Sequence, residues 1–115
     1  MFVLIVEKDK NPILKRIPNR LYTLREIVNN ETLEVIKYQD VLIVYDDDAF
    51  KKLLPINRKI GDYNIRGTFI ITGNDERNMD FKDLTDEQIE KYTKEFEISK
   101  EQNIENEQGE EIENE

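Results

Sequence analysis

The sequence contains no cysteine and no histidine, and it has only four glycines and three prolines among 115 residues. Without cysteine the chain forms no disulfide, so its folding requires no oxidising compartment. Without histidine or cysteine it also lacks the side chains that most often act as general base or nucleophile near neutral pH. These absences predict a non-enzymatic protein without a cofactor.

Long apolar runs are absent as well. The N-terminal run, residues 2–6, is only five residues long and is followed at once by Glu7. Such a run is too short for a signal-peptide core or a membrane span. We therefore expect a cytoplasmic protein with no membrane partner.

Charge is distributed unevenly along the chain. Seven glutamates and one lysine give residues 99–115 a net charge of −6, so the total of −9 leaves −3 for residues 1–98. The acidic segment has two isoleucines and no aromatic residue, and it cannot bury enough apolar surface to offset the entropy of ordering it. We predict one folded domain, residues 1–98, and an acidic disordered tail, residues 99–115. Scattered basic residues and the negative net charge argue against direct binding to nucleic acid.

Hydrophobic patterning predicts five strands and two helices in the order β-β-α-β-β-β-α. Residues 46–54 are expected to form an irregular connection, and residues 73–82 a polar loop. Apolar and β-branched runs predict strands at residues 2–6, 13–17, 32–38, 41–45 and 65–72.

Both predicted helices carry signals at their ends. Asn19 and Thr23 are alternative N-caps of the first helix, and Asn29 tolerates the left-handed conformation that ends a helix. Thr85 begins a capping-box pattern for the second helix, which extends to about Phe96. Short links and few crossover helices predict an α+β fold, a two-layer sandwich in which both helices cover one face of a largely antiparallel sheet.

The most informative segment, residues 54–73, begins with a Pro-x-Asn-Arg motif. The planar guanidinium of Arg58 suits a carboxylate, a phosphate or carbonyl groups, and Asn57 can close a turn with its side chain. The two residues are therefore candidates for binding a partner or ligand. The interpretation that we favour is a structural corner, in which Arg58 is partly buried against a carboxylate or loop carbonyls.

Gly67 interrupts the last predicted strand and is the third candidate binding residue. Glycine inside a strand is about 0.5–1 kcal/mol less stable than alanine, so its presence indicates a bulge or the close approach of another backbone or a ligand. The alternative that we favour is packing against a helix that leaves no room for a side chain.

Asp46, Asp47 and Asp48 form a run of three carboxylates. Adjacent side chains point in different directions, whereas calcium-binding loops place their ligands at alternating positions. We predict a solvated turn and no metal site. A hydrolase could use a pair of carboxylates, but a domain of this size offers little cleft for a substrate.

Residues 54–73, together with the run at residues 84–92, resemble a bacterial and phage family known as domain of unknown function 3846. The resemblance extends over most of residues 1–97 and implies an origin in a mobile element, without an activity. The residues that carry it are Leu54, Pro55, Asn57, Arg58, Gly67, Thr68, Phe69 and Gly73, in addition to that run.

The leading hypothesis is a non-enzymatic accessory domain of a phage, plasmid or integrated element that binds a protein partner or a small ligand. We expect its functional surface on the loops beside Arg58, residues 46–52 and 59–63. One alternative is an acidic inhibitor that mimics nucleic acid and blocks a host defence enzyme. A second is a carboxylate-dependent hydrolase.

Overall fold

The structure, a computed structural model, describes residues 1–98, so the predicted acidic tail lies outside the described residues. This part of the chain folds into eight strands and two helices. The strands are β1 (Phe2–Val6), β2 (Ile13–Arg16), β3 (Leu33–Tyr38), β4 (Val41–Asp46), β5 (Ile56–Ile60), β6 (Tyr63–Arg66), β7 (Phe69–Asp75) and β8 (Asp80–Lys82), and the helices are α1 (Leu21–Val28) and α2 (Asp86–Glu95).

Six of the strands form one antiparallel sheet in the order β2-β1-β7-β4-β3, with β8 paired to the end of β7. Strands β1, β7 and β4 lie at its centre, where continuous apolar sequence is needed because both faces are covered. The remaining strands, β5 and β6, form a separate hairpin. The prediction of an α+β fold with a largely antiparallel sheet is confirmed.

The two helices lie on opposite faces of the sheet. Leu4 of β1 packs in one apolar cluster with Tyr92 of α2, whereas its neighbour Val3 packs in a second cluster with Leu24 of α1. Neighbouring residues of a strand point to opposite faces, so the unbroken apolar run of β1 supplies a core on each side. The expectation that both helices cover one face is therefore wrong.

The β5–β6 hairpin shares the face of α2, where Ile60 and Ile65 join the same cluster as Tyr92. The strand predicted at residues 65–72 is in fact two strands: β6 ends at Arg66, and β7 begins at Phe69 in the other sheet. The predicted polar loop also contains β8. Sequence patterning missed β5 and β8 because both are short and largely polar.

The first helix begins one residue later than predicted from Asn19. Its N-cap is Arg20, which makes no side-chain capping hydrogen bond, and Thr23 lies inside the helix. The Asn19 amide instead donates to the Phe81 carbonyl at 3.2 Å, so it holds β8 rather than the helix end. The predicted C-cap is confirmed, because Asn29 is left-handed with φ 64° and ψ 43°.

The second helix is held at its start and along its length. Both hydrogen bonds of the predicted capping box are present between Thr85 and Gln88, at 2.9 and 3.1 Å. Further along, the Tyr92 hydroxyl donates to the Asp40 carboxylate in the β3–β4 turn. The hydrogen bonds from Tyr92 and Gln88 lower the pKa of Asp40, and burial raises the pKa of Tyr92.

Strand β8 approaches β7 so closely at Gly73 that there is no room for a side chain. A Cβ atom at Gly73 would lie 2.4 Å from the Asp83 carbonyl oxygen and 2.8 Å from that of Lys82. These neighbours are backbone atoms, which cannot turn aside as a flexible side chain does. The glycine therefore permits the close β7–β8 pairing.

We expect Gly73→Ala to lower the free energy of unfolding by about 3 kcal/mol, the upper end of the range for overpacking, because β8 must move. Gly61→Ala is the matched control: Gly61 has φ +58°, but a Cβ there meets nothing within 4 Å. Only backbone strain opposes that substitution, at about 1 kcal/mol. Urea unfolding measures which variant loses more free energy of unfolding. An equal or larger loss for Gly61→Ala than for Gly73→Ala would contradict the steric account.

Candidate functional site

The Pro-x-Asn-Arg motif lies at the start of β5, next to an irregularity in its pairing with β6. Ile56 is opposite Arg66 and Arg58 is opposite Ile65, so Asn57 has no partner across the hairpin. Its side chain points instead to the main sheet and donates to the Val6 carbonyl at 2.8 Å and the Gly67 carbonyl at 2.9 Å. Asn57 thus joins the end of β1 to the link between β6 and β7.

Arg58 binds backbone carbonyl groups from two distant parts of the chain, and it also binds its neighbour Asn57. Its Nε and one terminal nitrogen donate to the Phe96 carbonyl at 3.1 and 2.8 Å, and the same terminal nitrogen donates to the Lys10 carbonyl at 2.7 Å. The other terminal nitrogen donates to the carbonyl and the side-chain oxygen of Asn57, at 3.2 and 2.7 Å. All five N–H donors of the guanidinium are used within the fold.

The electrostatics of Arg58 match this setting. Phe96 is the C-cap of α2, and the carbonyl groups at the end of a helix carry partial negative charge that favours a cation. Burial lowers the pKa of Arg58, and the nearby Asp9 carboxylate acts in the opposite direction. The guanidinium remains charged because its ordinary pKa lies far above neutrality.

Gly67 completes this group, which we call the corner (Asn57, Arg58 and Gly67). Its φ of +75° lies in the left-handed region, and a Cβ there would approach the Leu54 side chain to 2.9 Å. Its N–H donates to the Pro55 carbonyl at 3.0 Å. The glycine allows the chain to leave the hairpin and enter β7. Its close neighbours, Leu54 and Pro55, belong to the loop before β5, so the favoured interpretation of packing against a helix is wrong.

The acidic run that begins at the last residue of β4 is part of a second polar cluster. The Asp46 carboxylate is buried, lies 2.7 Å from Lys52 Nζ and accepts from the Asp48 N–H at 2.8 Å. Lys52 Nζ also donates to the Asn30 side chain at 3.2 Å, and the Asn30 amide donates to Asp48 at 3.1 Å. The cluster fastens this loop to the end of α1. The prediction of a solvated turn is therefore wrong for Asp46.

The loop between β4 and β5 exposes apolar side chains although its backbone is well held. Phe50 and Leu53 are 73% and 80% exposed, and Ile56, the first residue of β5, is 44% exposed. The Arg66 guanidinium lies 5.4 Å from the centre of the Phe50 ring and donates to the Leu54 carbonyl at 3.0 Å. We call the side chains of Phe50, Leu53, Ile56 and Arg66 the loop surface.

Comparison with known proteins identifies the family. The family described as domain of unknown function (DUF3846) matches residues 1–97. The chain belongs to the DUF3846 family. No curated protein and no solved structure matches the chain. The family description assigns no activity, so the function of this DUF3846 domain has to be inferred from its surfaces.

Two further observations concern the part of the DUF3846 domain that the structure describes. Neither of its helices is long and apolar enough to cross a membrane. Residues 1–98 contain no group of three or more acidic side chains arranged to hold a metal ion. Within that range Asp46 pairs with Lys52, and Asp9, the acid near Arg58, pairs with Lys8.

The structure brings the three predicted site residues of the DUF3846 domain together, since Asn57 contacts both Arg58 and Gly67. Their binding of a partner or ligand stays a prediction. Sequence reasoning included Phe50 within a candidate loop but did not single out the loop surface. The available signal was the position of Phe50 and Leu53 on either side of two lysines, although isolated apolar residues are common on protein surfaces.

We expect Arg58→Ala to lower the free energy of unfolding by roughly 2–3 kcal/mol, because it leaves the Phe96 and Lys10 carbonyls without their charged donor. Arg58→Lys should recover only part of this loss, since an ammonium group cannot reproduce the planar fork. Chemical denaturation measures both changes. The matched control is Lys59→Ala, an exposed cation on the same strand. Equal stability of Arg58→Ala and Lys59→Ala would show that the guanidinium does not hold the corner.

Proposed function

We propose that this chain is a non-enzymatic accessory domain of a phage, plasmid or integrated element that acts by binding a protein partner through the loop surface. The exposure of Phe50 and Leu53 on a held loop is the observation that carries the proposal. The mobile-element setting rests on the family resemblance. The loop that supplies Phe50 overlaps the first of the two loops where the sequence predicts a functional surface.

The composition of the loop surface supports a protein partner. It combines an aromatic ring, two aliphatic side chains and an arginine, and aromatic residues and arginine are enriched at the energetically important positions of protein interfaces. Arg66 stacks near the Phe50 ring and is opposite Ile56 in the hairpin, so these side chains are adjacent. Burial of such a group contributes to binding through the hydrophobic effect.

The backbone of the loop is suited to binding because little of it has to be ordered on contact. The Leu54 N–H donates to Ala49 at 3.0 Å, and Lys52 is fixed by its contact with Asp46. Leu53 has a φ of +57°, an uncommon conformation for a residue other than glycine. Strained residues of this kind are frequent at binding sites, and a preformed loop lowers the entropic cost of association.

The other hypotheses have less support. A small ligand at the corner would compete for donors that Arg58 and Asn57 already use within the fold. The acidic-inhibitor hypothesis depends mainly on residues 99–115, since the net charge of residues 1–98 is only −3. Catalysis would have to proceed without histidine or cysteine.

The proposal predicts that Phe50→Ala with Leu53→Ala abolishes retention of a partner while the domain stays folded. Both side chains are exposed, so each change should alter stability by no more than about 0.5 kcal/mol. Quantitative affinity capture from the lysate of the bacterial host, with thermal unfolding of each variant, measures both effects.

Two parallel captures make the result interpretable. The first uses the matched control, Ile13→Ala with Leu14→Ala, which removes two exposed apolar side chains from β2. The second uses the chain without residues 99–115. Retention that persists in the Phe50/Leu53 variant but is lost on removal of the acidic segment would contradict the proposal and favour the acidic inhibitor.

A further inference from the structure

Strand β3 forms one outer edge of the main sheet, and its outward backbone groups can be identified. Among the described residues it pairs only with β4, and the Asp47 N–H extends this ladder by donating to the Thr32 carbonyl at 3.1 Å. Hydrogen-bonded pairs alternate along an antiparallel ladder. Residues 34, 36 and 38 therefore bond to β4, and the N–H and C=O groups of Leu33, Val35 and Lys37 point away from the sheet.

The two outer edges of the sheet differ in how they are protected. Strand β2 has four residues, lies between Pro12 and Pro18, and ends with Lys15 and Arg16. Proline, positive charge and short length are common means of preventing edge pairing. Strand β3 has six residues in continuous register, with no proline, glycine or bulge, and its one cation, Lys37, is paired with Glu76. Its edge is therefore open to another strand.

A groove accompanies this edge on the α1 face of the sheet. The groove has a volume of about 400 Å³ and is lined by Leu21 and Arg25 of α1, Leu33 and Val35 of β3, and Glu31, Thr32 and Phe81. A strand that bonds to residues 33, 35 and 37 would direct every second side chain to the α1 face. The same added strand would thus form hydrogen bonds with the outward N–H and C=O groups of β3 and fill the groove.

Arg25 supplies a charge at this site. It lines the groove beside β3 and a second groove of about 530 Å³ that includes Tyr22, and Glu31 also lines both grooves. Within residues 1–98 its guanidinium makes no ion pair and no hydrogen bond. An exposed guanidinium with free donors suits a carboxylate.

We propose that the outer edge of β3 and the groove beside α1 bind an extended segment of a partner protein, with apolar side chains at alternate positions and a carboxylate that pairs with Arg25. Addition of a strand to a sheet edge is a common mode of peptide recognition. The site uses different residues from the loop surface and does not depend on it. A second copy of this chain is less suitable, because Leu33, Val35 and Lys37, the residues of β3 on this face, provide no carboxylate.

The test uses random peptides of about ten residues, a length that covers one strand, displayed on phage and selected against the full chain. The selected peptides should share alternating apolar residues and an Asp or Glu. Val35→Pro should weaken their binding by about tenfold or more, because it removes an outward N–H. Arg25→Gln should weaken the binding of the acidic peptides by a similar factor. When the Glu of these peptides is replaced by Gln, the Arg25→Gln variant should bind them as well as the unmodified chain does.

The matched control is Leu14→Pro on β2. Its N–H also points outward, since the Ile17 N–H donates to the Met1 carbonyl and the bonded pairs of β1 and β2 are therefore odd-numbered. This variant should bind the peptides like the unmodified chain. If Val35→Pro does not fold, a second measurement is made on the unmodified chain: its amide chemical shifts are recorded as peptide is added. They should change most at residues 33–37.

Three results would overturn the proposal. The first is that no peptide is enriched over the empty support. The second is that the peptides bind Val35→Pro as well as the unmodified chain, or shift amides elsewhere. The third is a dimer of the full chain, seen by light scattering, that Val35→Pro converts to a monomer, because the edge would then serve a second copy.

Discussion

The contacts of one guanidinium group determine how the parts of this domain are joined. Arg58 connects the hairpin to the end of α2 and to the β1–β2 loop, and Asn57 adds the end of β1 and the start of β7. All the acceptors outside the motif are backbone carbonyls. A buried polar group must be paired, so the two side chains stabilise this arrangement and disfavour others. Arginine is suited to the task because its five donors are fixed in one plane.

This arrangement explains how a sequence with a modest share of apolar residues maintains a core on both faces of its sheet. The α2 face is closed by a helix and by the β5–β6 hairpin, which contributes Ile60 and Ile65. The hairpin has no hydrogen-bonded ladder with the main sheet, so its position depends on apolar packing and on the corner. The loop surface follows from the same constraint, because Arg66 reaches both Phe50 and the Leu54 carbonyl from the hairpin.

The sequence predicted the elements with strong local signals. The unbroken apolar run of β1, the short link between the strands predicted at residues 32–38 and 41–45, and the capping box of Thr85 depend on neighbouring residues, and all three are present. The division of the predicted strand at Gly67 was missed because it depends on the contacts of Asn57 with a distant strand. The motif residues predicted a corner correctly, but their acceptors could not be predicted, since backbone carbonyls such as that of Phe96 leave no trace in the sequence. The burial of Asp46 was missed for the same reason, because its partner Lys52 faces it only after folding.

The central claim is that Arg58 holds three separate segments at once, and hydrogen exchange of the backbone amides tests it most directly. The informative amides are those of Lys10, Gly67 and Ile98, each of which makes a hydrogen bond beside the corner. In Arg58→Lys, which keeps the charge but loses the planar fork, protection of all three should fall together while the amides of α1 are unchanged. Loss of protection confined to the β5–β6 hairpin, with Lys10 and Ile98 exchanging as in the unmodified chain, would contradict the account.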